Sequence, residues 1–144
     1  MQVKDLMTKD MVYASTSDTV LDVAKLMKHH NIGCVPVVAD GEKVLGVVTD
    51  RDIVLNIAKF NLDTTKTLAS TIMSDKVYSV KPDANITQAL DLMKKQRVRR
   101  LPVIENDCLK GMISIGDIAV NCDFKQEISE ALTEISKPAK VENI

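Results

Sequence analysis

Two short segments of the chain place a hydroxyl and a carboxylate three positions apart, beside an apolar run. Residues 46–53 read GVVTDRDI and residues 111–118 read GMISIGDI, so Thr49 precedes Asp52 and Ser114 precedes Asp117. A carboxylate in the first turn of a helix is stabilised by the helix dipole, and its remaining lone pairs can accept from two neighbouring hydroxyls, such as the 2′ and 3′ hydroxyls of ribose. The same spacing also suits an N-terminal helix cap. The residues alone leave both interpretations open.

A basic segment, KKQRVRR at residues 94–100, carries the second candidate chemistry. Arg99 and Arg100 immediately precede the apolar run LPVI, and a guanidinium binds phosphate oxygens in bidentate fashion. Both precede the strand rather than lie on the helix, so we expect one of these two arginines to point toward a cleft. Lys94, Lys95 and Arg97 are assigned instead to a solvated basic helix end, where the dipole favours cations.

Catalytic constellations are not visible in the sequence. His29 and His30 are adjacent, so they point in different directions on a helix, and we expect them to face solvent at its end. The three cysteines, Cys34, Cys108 and Cys122, form no CxxC pair, and neither zinc spacing nor a Walker loop occurs. The sequence therefore predicts a non-catalytic protein without a metal site, in which a bound nucleotide is sensed and not hydrolysed.

The composition limits the classes of protein to which the chain can belong. The 144 residues are 45% hydrophobic and 27% charged, with 19 basic and 20 acidic side chains, which is typical of one compact domain and indicates no nucleic-acid or membrane partner. No apolar run approaches the roughly 18 residues of a membrane span, and the N-terminus lacks a signal-peptide layout. We expect a cytoplasmic protein.

An internal repeat organises the elements that must position these residues. A shift of 66 positions pairs Met7 with Met73 and Pro36 with Pro102, and a shift of 65 then pairs Gly46 with Gly111. Apolar residues recur at helical spacing after Thr19 and again after Asn85, each a potential cap. Each copy reads β-α-β-β-α, with YAS and YSV as weak candidates for the first strand.

The repeat predicts the domain organisation. We expect repeat 1 at residues 1–60, a linker at 61–67, repeat 2 at 68–122, and a C-terminal helix and tail at 123–144, with the repeats packed about a pseudo-twofold axis in an α/β (α+β) fold. Within the tail, Phe124, Ile128, Leu132 and Ile135 recur at helical spacing. This pattern predicts an amphipathic helix that packs on its own protein, with docking to a partner as the alternative.

The chain resembles a tandem pair of CBS domains, the motif named for cystathionine β-synthase. The resemblance covers most of the chain and depends on the duplicated MT/MS corners, the LM-ended helices, VPVV and LPVI, and the two G-h-h-[ST]-x-x-D-I segments. The SIGD motif and the ALTEISKP tail are similar to those of small bacterial stand-alone CBS-pair proteins. The resemblance implies binding of an adenine nucleotide or adenosine-containing ligand between the repeats, and a disc-shaped homodimer.

The resemblance also implies two clefts, each built from both repeats, and a ribose-binding role for each Asp. The first cleft would combine one repeat's residues with the other's corner and first strand: Asp117, Ser114, Met112 and Arg99 or Arg100 against Thr8, Val12, Tyr13 and Ile32. The second cleft would combine Asp52, Thr49 and Val47 with Ser74, Tyr78 and Val98. The repeat 1 equivalents of the two arginines, Gly33 and Cys34, are uncharged. The first cleft is therefore favoured for phosphate, although each apolar position also suits ordinary core.

The expected function is a regulatory sensor whose occupancy shifts the arrangement of the repeats toward one that a regulated protein partner reads. AMP, ADP and ATP are the candidate ligands, with NAD and S-adenosylmethionine ranked after them, and no cofactor is required. The alternative is a nucleic-acid or protein-interaction adaptor that uses residues 94–100 and the C-terminal helix. Two Phe, two Tyr and no Trp offer few stacking platforms, which disfavours single-stranded nucleic acid.

Overall fold

The computed structural model describes residues 1–40, 42–121 and 123–138. The first repeat contains α1 (Val3–Leu6), β1 (Ala14–Ser15), α2 (Val20–His30), β2 (Cys34–Ala39), β3 (Lys43–Thr49) and α3 (Asp50–Phe60). The second contains α4 (Ala69–Ile72), α5 (Ile86–Gln96), β4 (Arg100–Glu105), β5 (Cys108–Ser114) and α6 (Ile115–Asn121), and α7 (Lys125–Ser136) follows. Gly41 of the first predicted turn, Cys122 and the predicted tail at 139–144 lie outside the described residues.

The long helix of each repeat begins and ends as its sequence predicts. The Thr19 hydroxyl accepts from the Asp22 N–H at 3.2 Å, while the Asp22 carboxylate accepts from the Thr19 N–H at 2.9 Å. In α5 the Gln88 side chain accepts from the Asn85 N–H at 2.9 Å. Both helices span 11 residues and end at a residue in the left-handed region, Asn31 and Arg97. Duplication has therefore preserved helix length and boundaries.

One sheet runs through both repeats in the order β1-β2-β3-β5-β4. Strand β1 is parallel to β2, and the other pairs are antiparallel. The predicted α/β architecture is thus confirmed, with one difference in the second repeat. There YSV forms only an isolated bridge, in which the Val80 N–H donates to the Pro102 carbonyl at 3.1 Å. Pro82 follows two residues later and has no N–H with which to extend the pairing.

Two apolar clusters lie beneath the sheet, one in each repeat. The first is formed by α2, β2 and β3, including Val20, Val23 and Val37. The second is formed by α5, β4 and β5, including Leu90, Met93 and Leu101, and α7 packs against it. The first cluster also includes Ala69 of α4, and the second includes Val3 of α1, so each core is centred on one repeat and completed by the short first helix of the other.

The C-terminal helix packs on its own chain through a stripe slightly different from the one predicted. Phe124, Ile128 and Ile135 pack against the second core, and Ala131 is 1% exposed. Leu132 was predicted to share this face and is 38% exposed, so that assignment is wrong. Ala131 lies on the face of α7 that packs against the second core. Its small side chain allows α5 and α7 to approach each other closely. Lys94 of α5 also pairs with Glu130 at 3.9 Å.

Candidate ligand-binding cleft

The two repeats interlock through their MT and MS corners. The Thr8 N–H donates to the Met112 carbonyl at 2.8 Å, and the Met112 N–H donates back to the Thr8 carbonyl at 3.0 Å. At the related corner, Val47 and Ser74 exchange the same two bonds at 3.0 and 2.9 Å. The structure therefore brings Thr8 to Met112 and Ser74 to Val47, in the cross-repeat arrangement that the resemblance implies.

A glycine is required beside each of these corners because the partner repeat approaches the backbone closely. A Cβ placed on Gly46 would lie 2.6 Å from the Ser74 carbonyl oxygen, and one on Gly111 would lie 2.7 Å from the Thr8 carbonyl oxygen. Real Cβ atoms do not approach so near. The glycine that begins each G-h-h-[ST]-x-x-D-I segment is thus explained by contact between the repeats.

The hydroxyl and carboxylate of each segment form a capping box. Asp52 Oδ2 accepts from the Thr49 N–H at 2.9 Å, and the Thr49 hydroxyl accepts from the Asp52 N–H at 3.1 Å. Ser114 and Asp117 repeat this geometry at 2.8 and 3.1 Å. The capping alternative therefore describes contacts that the molecule makes. Within the described residues nothing donates to Oδ1 of either half-buried carboxylate, so binding of a ribose diol by Asp52 or Asp117 stays a prediction.

A cavity of about 780 Å³ lies in the second cleft and is called the second-cleft cavity below. Its volume falls in the range of about 300–1,000 Å³ typical of small-molecule sites. It gathers the predicted residues Val47, Thr49, Tyr78 and Val98 from both repeats. The remaining lining residues come from the starts of β2, α3 and β4, from the segment before Tyr78 and from α7: Gly33, Cys34, Asp50, Arg51, Lys76, Val77, Arg97, Arg99, Arg100, Leu101, Pro102 and Ile135.

The arginines occupy a different place from the one expected. Arg99 and Arg100 were grouped with Asp117 in the first cleft, but they line the second-cleft cavity. Arg97, assigned by sequence to the solvated helix end, lines it as well. The starts of β2 and β4 both reach this cavity, so Cys34 and its repeat equivalent Arg100 line it together. The grouping with Asp117 came from the resemblance, which does not fix the cavity that a side chain lines.

The remaining site residues are distributed around the two clefts. Asp52 caps α3 through Thr49, and Ser74 is held by its bridge to Val47, so both adjoin the second-cleft cavity without lining it. In the first cleft, Val12, Ile32, Met112 and Ser114 are half-buried. Tyr13 lines a separate surface hollow of about 620 Å³ together with His29 and residues of α2. The hollow that Tyr13 lines therefore includes neither Ser114 nor Asp117.

Sequence reasoning missed several lining residues, and two of them had a readable signal. Arg97 is the repeat equivalent of Asn31, and both adopt the left-handed conformation, with φ of 55° and 52°. Asparagine tolerates this conformation and arginine rarely adopts it, so the substitution marks an unusual position. Arg51 lies inside the G-h-h-[ST]-x-x-D-I segment, where repeat 2 has Gly116. Lys76 and Ile135 had no such signal.

Charge and burial give the cavity a cationic rim and an apolar, neutral interior. Arg51, Lys76, Arg97, Arg99 and Arg100 line it, opposed by a single lining carboxylate, Asp50. Burial raises the pKa of the Cys34 thiol to about 11, an effect that the positive charge of Arg100 partly opposes. Cys34 is therefore an uncharged thiol at neutral pH. The arrangement can hold an apolar ring system at its centre and an anion at its edge.

In the described part of the chain, no group of three or more His, Cys, Asp and Glu residues could hold a metal ion. His29 and His30 are exposed and pack edge to face, with ring centroids 4.8 Å apart. Among the same residues, no helix has the length and apolarity to cross a membrane.

Comparisons with known proteins agree with this architecture. The family model for the CBS domain matches residues 3–59 and again residues 69–121. The CBS domain-containing protein YhcV of Bacillus subtilis is 38% identical over 134 residues, covering 93% of this chain and 94% of that protein. The crystal structure of a putative acetoin utilization protein from Vibrio cholerae matches with a TM-score of 0.77 and 30% identity, covering 96% and 98% of the two chains.

A second solved structure contains bound ligands. The CBS domain pair of protein MJ0100, in complex with 5′-methylthioadenosine and S-adenosyl-L-methionine, matches with a TM-score of 0.73 and 25% identity over 83% of this chain and 94% of that one. The two family matches in one chain agree with the interlocked corners and with the continuous sheet. The chain therefore belongs to the CBS domain family, as a tandem CBS pair.

Proposed function

We propose that the chain is a non-catalytic regulatory module that binds an adenosine-containing ligand in the second-cleft cavity. The observation that carries the proposal is the cavity itself, which is walled by both repeats and combines apolar side chains with a cationic rim. Val47, Val98 and Pro102 offer apolar surface to a purine base, while Thr49 lies at the start of α3. The adenosine compounds bound by the CBS pair of MJ0100 support this ligand class.

The proposed mechanism couples occupancy to the packing of the repeats and of α7. A ligand that contacts Val47 and Tyr78 together touches both repeats, so it stabilises the arrangement in which they face each other. Ile135 belongs to the second core and also lines the cavity, so the same ligand would favour the docked position of α7. A regulated partner that recognises this arrangement would then sense the ligand.

Two exposed tyrosines provide a direct test of the location. Tyr78 lines the second-cleft cavity and is 39% exposed, whereas Tyr13 lines the separate hollow and is 41% exposed. Thermal-shift and calorimetric titrations with AMP, ATP, NAD and S-adenosylmethionine should be run on the wild type, Tyr78→Ala and Tyr13→Ala. We expect the Tyr78 variant to bind more weakly and the Tyr13 variant to bind as the wild type does. Weakening by the Tyr13 change alone would place the ligand at the Tyr13 hollow instead, and absence of binding by every compound would refute the function.

The adaptor alternative is less well supported by the placement of the basic segment. Lys94 is engaged by Glu130 of α7, and Arg97, Arg99 and Arg100 line a concave site and do not form a flat strip. A concave cationic site suits a small anion better than a duplex backbone. Binding of duplex DNA with a steep salt dependence would favour the adaptor instead.

We also propose that the chain pairs as a homodimer through α3. Val54 and Leu55 are adjacent on this helix and are 63% and 50% exposed, so a monomer would leave both apolar side chains in water. Sedimentation equilibrium on the wild type and Leu55→Glu should distinguish the states. A dimer that the glutamate dissociates is expected, and an unchanged dimer would place the interface elsewhere.

A further inference from the structure

The second-cleft cavity concentrates positive charge in a chain whose net charge is −1. Five cationic side chains line it against one carboxylate, and two further carboxylates act nearby: Asp52 influences Cys34, and Glu134 is influenced by Arg97. Five positive charges thus face three negative ones. Glu134 is already paired with Lys137 at 2.6 Å. Neither ion pair in the described residues involves a cation of the cavity.

The duplication does not repeat any of these cations. Under the shifts of 66 and 65 positions that relate the repeats, the five positions correspond to uncharged or acidic residues: Asn31, Gly33, Cys34, Gly116 and Asp10. A Cβ added at Gly33 would lie 2.9 Å from the Asp50 carboxylate oxygen, at the end of a side chain that would have to move. Repeat 2 has Ile115 in place of Asp50. The cationic lining is therefore not reproduced at the repeat-equivalent positions, two of which, Gly33 and Cys34, line the same cavity.

Arg97 adds an energetic argument. Its φ of 55° and ψ of 45° lie in the left-handed region, which is unfavourable for a side chain with a Cβ and common for asparagine. Its guanidinium makes no hydrogen bond or ion pair with another described residue. Its charge acts on Glu134, a carboxylate that is already paired with Lys137. Backbone strain at the wall of a cavity, in a side chain that makes no hydrogen bond or ion pair there, favours a role in ligand binding.

We infer that this cavity takes a nucleoside di- or triphosphate, bound at one site per chain, in preference to a nucleoside monophosphate or an uncharged or cationic adenosine compound. The inference rests on the proposed function and narrows it. Arg97, Arg99 and Arg100 offer three guanidinium groups, each able to meet two phosphate oxygens. A single phosphate offers them three terminal oxygens at one point, whereas a chain of two or three phosphates offers more oxygens and can extend across them. Leaving the cations unpaired would retain their mutual repulsion.

Calorimetric titrations at constant ionic strength, with a chelator present to exclude divalent cations, test the inference. ATP, AMP, S-adenosylmethionine and inorganic triphosphate should be titrated into the wild type, Arg97→Asn and Lys95→Gln. Arg97→Asn introduces the residue that repeat 1 carries at this position, so the fold should be retained or slightly stabilised. Lys95→Gln removes a positive charge of the same segment that does not line the cavity.

We expect the wild type to bind one ATP per chain about tenfold more tightly than AMP, with S-adenosylmethionine weaker still. Arg97→Asn should weaken ATP binding by about tenfold and AMP binding by much less. Lys95→Gln should bind ATP as the wild type does. A thermal melt of each variant will show that a loss of affinity does not follow from unfolding.

The outcomes separate this inference from the function it narrows. Equal affinity for ATP, AMP and S-adenosylmethionine, or no effect of Arg97→Asn on ATP binding, would overturn the inference and leave adenosine binding intact. Two ATP molecules per chain would overturn the single-site assignment. Binding of inorganic triphosphate as tightly as ATP, lost in Arg97→Asn, would support the polyphosphate site and refute adenosine recognition.

Discussion

Replacing Gly111 by alanine tests whether contact between the repeats determines stability. The new Cβ would lie 2.7 Å from the Thr8 carbonyl oxygen and 3.0 Å from Met7 Sδ. Met7 is flexible and can move, but the Thr8 carbonyl accepts from the Met112 N–H at 3.0 Å and cannot retreat without weakening that bond. Overpacking costs about 1–3 kcal/mol and a weakened hydrogen bond about 1 kcal/mol. Alanine also lowers the conformational entropy of the unfolded chain, which stabilises the folded state by about 0.5–1 kcal/mol. The expected net loss is about 2 kcal/mol.

Gly116 provides the matched control. It lies in α6, and an added Cβ would meet only the Ser114 hydroxyl oxygen at 3.6 Å, an ordinary contact. Alanine at a helical position is favoured over glycine by about 0.5–1 kcal/mol, so Gly116→Ala should stabilise the protein. The two variants add the same atoms in the same repeat and should change stability in opposite directions.

Urea denaturation measures both variants, and thermal melts give a second readout. For a chain of this size 1 kcal/mol corresponds to about 2–4 °C, so Gly111→Ala should lower Tm by about 6 °C and Gly116→Ala should raise it by about 2 °C. Several protein concentrations are needed because association would shift the apparent stability. Equal effects of the two variants, or a Gly111→Ala protein as stable as the wild type, would refute the close approach of Thr8.

Three further changes have definite expected outcomes. Backbone and side-chain hydrogen bonds from Thr19 lower the pKa of Asp22 below 3.8. The ionised Asp22 therefore stabilises the folded state above pH 3.8, and this stabilisation is lost as pH falls through the folded pKa. In urea denaturation at several pH values, Asp22→Asn should be less stable than the wild type near neutral pH and equally stable in strong acid. Burial raises the pKa of Cys34 to about 11. In a variant whose other cysteines are serine, iodoacetamide should therefore alkylate Cys34 slowly at pH 8 and much faster toward pH 11. Rapid alkylation at pH 8 would contradict the burial of the thiol. In chemical denaturation, Ile135→Ala should lower stability by about 2 kcal/mol and Leu132→Ala by less than about 0.5 kcal/mol, and the reverse order would mean that α7 is rotated.

Local patterns in the sequence were sufficient for the architecture. The duplication is visible as matching residue types at a nearly constant shift. The two helices that begin after Thr19 and Asn85, and the hydroxyl-to-carboxylate spacing at Thr49 and Ser114, involve residues three or four positions apart. Hydrogen bonds across such spacings depend on the backbone conformation of one turn, so they can be predicted without knowledge of the tertiary structure. The same locality explains why the sequence could not separate capping from ligand binding.

Residues that belong to one surface of the folded chain were harder to predict. Leu132 has the correct helical spacing to be buried, but Ala131 contacts the core, because the rotation of α7 is set by the surface of α5. Arg97 reads as the end of a basic helix, and only its left-handed backbone and its place on the cavity wall distinguish it.

The sequence by itself determined that two copies of one α/β unit must share an interface, since the repeat, the paired glycines and the periodicity are written in residue order. Only the tertiary structure decided which cleft holds the arginines. Arg100 of β4 pairs with Ser114 of the neighbouring strand β5. It nevertheless lines a cavity together with Val47 and Tyr78, which lie in different repeats. The reason is physical: strand pairing is fixed by backbone hydrogen bonds, whereas the wall of a cavity is fixed by how two separate units pack against each other.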